Sequence, residues 1–164
     1  VVSWVEAWQD QFGEPCVSVP FEKIGIIKHT RHAPLRSRQA AAWIGAMFLQ
    51  KNMGRNLKRL IEDAMQILDI KAASEGASYE VFTRVAGHAG KIYINLMDNA
   101  GRVVEVDASG WKIISNPPVR FIQPKNAKPM PEPDPNGTLE PLDQLLNVES
   151  PEDRNMIVSW LLNE

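Results

Sequence analysis

The chain has 164 residues, 44% of them hydrophobic and 23% charged, with 12 Pro, 10 Gly and a formal net charge of −2, which is the size of one ordinary domain or two very small ones. That composition argues against wholesale disorder, collagen and coiled coil, and no window approaches about 18 apolar residues, so no membrane span is expected. Cys16 is the one cysteine; alone it makes neither an internal disulfide nor a zinc site, which fits a reducing, cytoplasmic setting.

The chain opens on Val1-Val2-Ser3-Trp4, with no initiator Met and no basic and apolar signal-peptide regions, and so is expected to start inside something larger. Trp4 to Val19 reads as a hairpin around the turn-like Asp10-Gln11-Phe12-Gly13-Glu14-Pro15, with Cys16 to Val19 as its second strand. Lys23 to Lys28 reads as a further strand. Pro34-Leu35-Arg36-Ser37-Arg38 then leads into an Ala-rich helix over Gln39 to Leu49, its buried side marked by Trp43, Met47 and Leu49. In the next helix Leu57, Leu60, Ile61, Ala64, Met65 and Leu68 form one apolar stripe, with the charged residues largely on the other face.

The middle of the chain is β. Glu80 to Val85 and Lys91 to Leu96 alternate with period two around Gly87-His88-Ala89-Gly90, expected as a four-residue hairpin loop. Arg102 to Val106 and Trp111 to Ile114 continue a meander through turns at Asp98 to Gly101 and Ala108 to Gly110, with Val119 to Ile122 as a fifth short strand. Pro124 to Asn136 holds five prolines and reads as an extended linker. Two helices follow, a short one over Thr138 to Asn147 and one starting at Ser150-Pro151-Glu152-Asp153, where Ser is the N-cap, Pro the first helical residue and the acids suit the helix dipole. The second runs to Glu164 without a stop signal, as expected where a neighbouring domain follows. The predicted architecture is α+β, a hairpin and two-helix layer packed on an antiparallel meander over 1–123, a linker over 124–137 and C-terminal helices over 138–164.

Charge is unevenly placed. Lys23 to Ala72 holds ten Lys/Arg against three acids, whereas Met130 to Glu164 holds Arg154 against eight acids. Lys28, Arg31, Arg36, Arg38, Arg55, Lys58 and Arg59 are therefore the candidate contacts to a nucleic-acid backbone, set against the plainer reading that they are solvated helix faces answered by the acidic C-terminal part.

No catalytic set stands out. There is no G-x-x-x-x-G-K-[ST] loop, and Gly87-x-x-Gly90 lies between strands, where it reads as a turn. His29 and His32 read as solvated loop histidines, and His88 as a hairpin tip. Ser109, Cys16 and Ser37 have no histidine beside them in sequence, and Asp98 and Asp107 read as turn residues. The aromatics read mainly as core, with Tyr93 and Trp111 as stacking platforms only where they face solvent. No cofactor or metal is expected in this chain.

The ordered segments Val81 to Leu96 (V-F-T-R-V-A-G-H-A-G-K-I-Y-I-N-L), Arg102 to Val106, Gly110 to Ile114, Pro117 to Phe121 and Leu145 to Val148 resemble stations of a family of phage and integrative-element ATP-binding proteins described as primase-helicase-like, and Pro34 to Arg38 resembles the step before its first helix. Asn95 stands where that family often has Asp, so no carboxylate role carries over. In that family the corresponding region precedes an ATPase domain with a Walker A loop. The resemblance thus implies a non-catalytic N-terminal accessory domain of a DNA helicase/primase-like ATPase, with DNA as a partner and homo-oligomerisation of the parent. The alternative is a structural or protein-interaction module that binds no nucleic acid.

Overall fold

The computed structural model describes residues 2–21, 29–51, 55–148 and 150–161. They fall into two compact units, Val1–Pro131 and Glu132–Glu164. The expected strand at Lys23 to Lys28 lies outside the described residues.

In the first unit, a short 3-10 turn leads to β1 (Glu6–Gln9), which pairs antiparallel with β2 (Pro15–Phe21), and β2 pairs antiparallel with β3 (His29–Pro34). The hairpin is where the sequence places it. Asp10 makes its turn by accepting the backbone N–H groups of Phe12 and Glu14. β3 is an addition, because His29 and His32 sit in this strand and not in a solvated loop.

Ser37 caps α1 (Arg38–Gln50) by accepting the Ala40 N–H at 3.1 Å. Ala40, Ile44 and Phe48 form its buried stripe, while Leu49 is exposed and Trp43 and Met47 are half-buried, so the buried face is turned from the one expected. α2 (Leu57–Glu75) buries Ala64, Leu68 and Ala72. Gly45 lets the helices approach: a Cβ there would stand 3.0 Å from Ile61 Cδ1. One core joins these stripes to Val5, Val17, Val19, Ala33 and Leu35 of the three-stranded sheet, each large side chain contributing about 1.5–3 kcal/mol. The helix layer therefore packs on the N-terminal sheet, and not on the meander as expected, because the apolar face of β1–β3 is the one turned to it.

β5 (Val85–His88), β6 (Lys91–Asn95), β7 (Val103–Asp107) and β8 (Gly110–Ile114) form the expected antiparallel meander in that order. Its first hairpin is tighter than expected: only Ala89 and Gly90 link the strands, both with positive φ (50° and 75°), the geometry matched to strand twist. The segment before it breaks at Thr83-Arg84, leaving β4 (Val81–Phe82) to pair in parallel with β9 (Arg120–Phe121). β9 is thus not a fifth meander strand.

Two isolated parallel bridges, Gln9 with Ser78 and His32 with Ile122, join these pieces. The pairing passes from β1 through β2 and β3 to the β9 segment, on to β4, and along the chain back to β1, so the strands close on themselves. A second core, Ala86, Tyr93, Val103, Val119 and Phe121 with Phe82 and Ile114, lies beneath one face of the meander.

The second unit holds α3 (Glu140–Asp143) and α4 (Pro151–Leu161). Ser150 Oγ accepts the Asp153 N–H at 3.1 Å, the expected cap, and Arg154 and Asp143 form a two-point ion pair. None of its described residues is buried. The class is α+β with C-terminal helices, and among the described residues no helix is long and apolar enough to cross a membrane.

Candidate functional site

Cross-strand register sets Glu6, Ser18 and His32 side by side on the face of β1–β3 opposite the helices. Ser18 Oγ accepts from Trp8 Nε1 at 2.8 Å and from Arg120 Nη1 at 2.8 Å, and lies 2.8 Å from His32 Nδ1. Trp and Arg can only donate, so both acceptor sites of the hydroxyl are taken. His32 Nδ1 can then only accept, which puts the ring proton on Nε2, and the Ser18 hydroxyl proton lies between Nδ1 and the Glu6 carboxylate, its other acceptor. Burial, reinforced by the charge of Arg120, pushes His32 down to about 4, in keeping with that neutral form.

Arg120 organises the cluster. Its guanidinium lies 3.6 Å from the Tyr79 ring centroid and 4.6 Å from that of Trp8, and it holds Glu6 through two bonds of 2.8 and 3.1 Å. Burial works to raise the Glu6 carboxyl, but the hydrogen bonds and charge of Arg120 outweigh it and hold the group below its usual range. Beside the cluster is a polar cleft of about 270 Å³ between Glu6, His32, Arg120 and the Asn116 to Val119 segment.

A serine at hydrogen-bond distance from a histidine is also the layout of a nucleophile and its base. Here the chemistry runs against that. Ser18 is 3% exposed with both lone pairs engaged, His32 is a weak base, and the carboxylate answers Arg120 instead of orienting the imidazole. The network locks the strand ring; it does not activate a hydroxyl. Cys16, on the same face, is fully buried and its thiol is pushed up to about 11, chiefly by burial with Asp10 and Glu14 adding.

The candidate phosphate contacts do not form one patch. Arg31 is structural: its guanidinium stacks on Phe21 at 4.7 Å and donates to His29 Nε2 and to the Asn99 carbonyl. That locks β3 to the turn before β7, where Gly101 at φ +68° lies so near His29 that a Cβ would come within 2.6 Å of the ring. Arg36 bonds Asp69 at 3.2 Å, near the far end of α2, while Gly45 meets Ile61, so α1 and α2 run antiparallel. Arg36 and the exposed Arg38 therefore stand apart from Lys58 by about three turns of helix, roughly 16 Å. Lys28 lies outside the described residues.

Arg55, Lys58 and Arg59 lie within five residues of one another at the start of α2, and all three are exposed. Lys58 and Arg59 are 92% and 82% exposed and make only loose i,i+4 pairs of 3.9 Å with Glu62 and Asp63, each worth about 0.3–0.5 kcal/mol. No acid occupies the first turn, and Asn56 takes the cap position in a left-handed conformation without a side-chain cap bond. Cations here face the positive end of the helix dipole, and an external anion would relieve them.

Asp98 and Asp107 are turn residues, as expected: Asp98 accepts the N–H groups of Ala100 and Arg102, and Asp107 that of Ser109. Tyr93 is buried, whereas Trp111 is 43% exposed. Among the described residues no group of three or more His, Cys, Asp and Glu is placed to hold a metal ion. The Ser18 and Arg120 network escapes sequence reasoning because it joins four separate strand segments; only the alternation Glu6/Trp8 and Cys16/Ser18 hints at a second functional face.

Comparison with known proteins finds no family model, no curated protein and no solved structure that matches the chain.

Proposed function

We propose that this chain is a non-catalytic N-terminal accessory domain of a cytoplasmic, mobile-element helicase/primase-like ATPase, and that it contacts the DNA backbone through Arg55, Lys58 and Arg59. The carrying observation is the exposed triad at the positive end of a 19-residue helix, its charges only loosely paired. The family resemblance of the meander segments supports the parent's identity. The domain uses charge and not base reading, so it binds without sequence preference.

Fluorescence anisotropy with single-stranded and duplex oligonucleotides tests this. Three phosphate contacts give a log–log salt slope of about −2 on single strands, and Arg55→Glu with Arg59→Glu weakens binding at least tenfold. Absence of binding at tens of micromolar in low salt, or indifference to the double variant, overturns the reading. The second reading, an oligomerisation module that binds no nucleic acid, is favoured by one observation, the uncovered apolar row on the meander: Val85, Ile92 and Trp111 are 49%, 45% and 43% exposed.

A further inference from the structure

Between β3, the start of α1 and the turn that joins β6 to β7 lies a cavity of about 60 Å³. A water's share of liquid volume is about 30 Å³, so the space suits about two waters or one molecule of about four non-hydrogen atoms.

One buried polar group in its wall is unserved by the fold. Asn95 lines the cavity and is 8% exposed. Its Oδ1 accepts the Met97 N–H at 2.9 Å, which fixes the orientation of the carboxamide. Nδ2 can only donate, and it has no partner among the described residues. A buried donor in that position is a cost that a bound acceptor removes.

A second donor stands in the same wall. Arg31 spends Nε on His29 and Nη2 on the Asn99 carbonyl, and Nη1 has no partner among the described residues. Asp98 is in the wall too, but its oxygens are engaged: Oδ1 accepts the N–H groups of Ala100 and Arg102, and Oδ2 accepts from the Arg102 guanidinium. With His32 neutral, Arg31 and Arg102 against Asp98 leave one positive charge, which answers a monoanion and not a dianion. Trp43, Val103, Val119 and Phe121 supply an apolar side.

We propose that this cavity binds a small monocarboxylate of acetate size, its oxygens on Asn95 Nδ2 and Arg31 Nη1 and its alkyl end against the apolar side. Two donor-only groups ask for a ligand with two acceptors, the single positive charge sets its charge, and the volume sets its length. The inference stands independently of DNA binding.

The test is a titration of the full chain with acetate at pH 7 and constant ionic strength, followed through backbone and side-chain amide signals by nuclear magnetic resonance, with chloride and phosphate as separate arms. The Asn95 carboxamide signals should shift and saturate with a Kd of about 0.05–5 mM, the range open to a ligand of four heavy atoms. Asn95→Asp keeps the acceptor for Met97 and replaces the free donor by a charge, so it should weaken acetate at least tenfold. Gln39→Glu puts a negative charge in the wall from the first turn of α1, at a side chain that makes no hydrogen bond among the described residues, and should do the same. Circular dichroism identifies the variants that remain folded. No saturable shift at 50 mM acetate means that the cavity holds solvent alone and overturns the proposal. So does an equal response to chloride, tighter binding of phosphate than of acetate, or undiminished acetate affinity in either folded variant.

Discussion

The units Val1–Pro131 and Glu132–Glu164 meet the same physical demand in opposite ways. The first buries two apolar cores and ties its strand ring together with a hydrogen-bonded polar network. The second has well-formed helix signals, including the Ser150 cap, yet buries none of its described residues. Local propensity is enough to start a helix and not enough to hold one.

The largest expected effect comes from breaking the first unit's seal. Arg120→Met removes the two-point bond to Glu6, the bond to Ser18 and the charge stacked on Tyr79 and Trp8, and is expected to cost about 3 kcal/mol of stability. Glu6 and Arg120 are 114 residues apart, so denaturant melts should show one transition moved to lower concentration with α2 and the meander lost together. A loss below about 1 kcal/mol, or two separate transitions, would mean that the network decorates the ring instead of closing it.

The next effect is in pH. His32 titrates near 4 in the folded chain and near its ordinary 6.5 when unfolded, so between those values the unfolded state binds more protons. Its contribution is present above 6.5 and is lost as pH falls through the window toward 4. The total is roughly 3 kcal/mol. Glu6 and Asp98, held below their ordinary values, add a loss that starts lower, below the unfolded carboxylate range. Stability should thus begin to fall near pH 6.5, and His32→Gln should flatten the curve between 6.5 and 5. Equal slopes for both proteins in that interval would place the protonation elsewhere.

The sequence makes some of this legible for clear reasons. The α2 stripe has a 3.6-residue period sustained over 19 residues, and the meander strands alternate between tight turns, so both can be read locally. β3 could not be, because neither of its faces is plainly apolar: His32 points to the polar network, and Arg31 and His29 stack over Phe21. The parallel pairing of β4 with β9 joins segments almost forty residues apart, a contact no local pattern encodes. The basic block was readable as a charge count but not as a surface. Antiparallel packing of α1 and α2 sends Arg36 and Arg38 to one end and Arg55, Lys58 and Arg59 to the other.

The central claim is that the Arg120 network closes the strand ring of the first unit, and hydrogen exchange of the wild type against Arg120→Met tests it most directly. Amides of β2 and of the β9 segment should exchange faster by the same factor in the variant, as elements that open together. Unequal factors, or no change in either element, would contradict it.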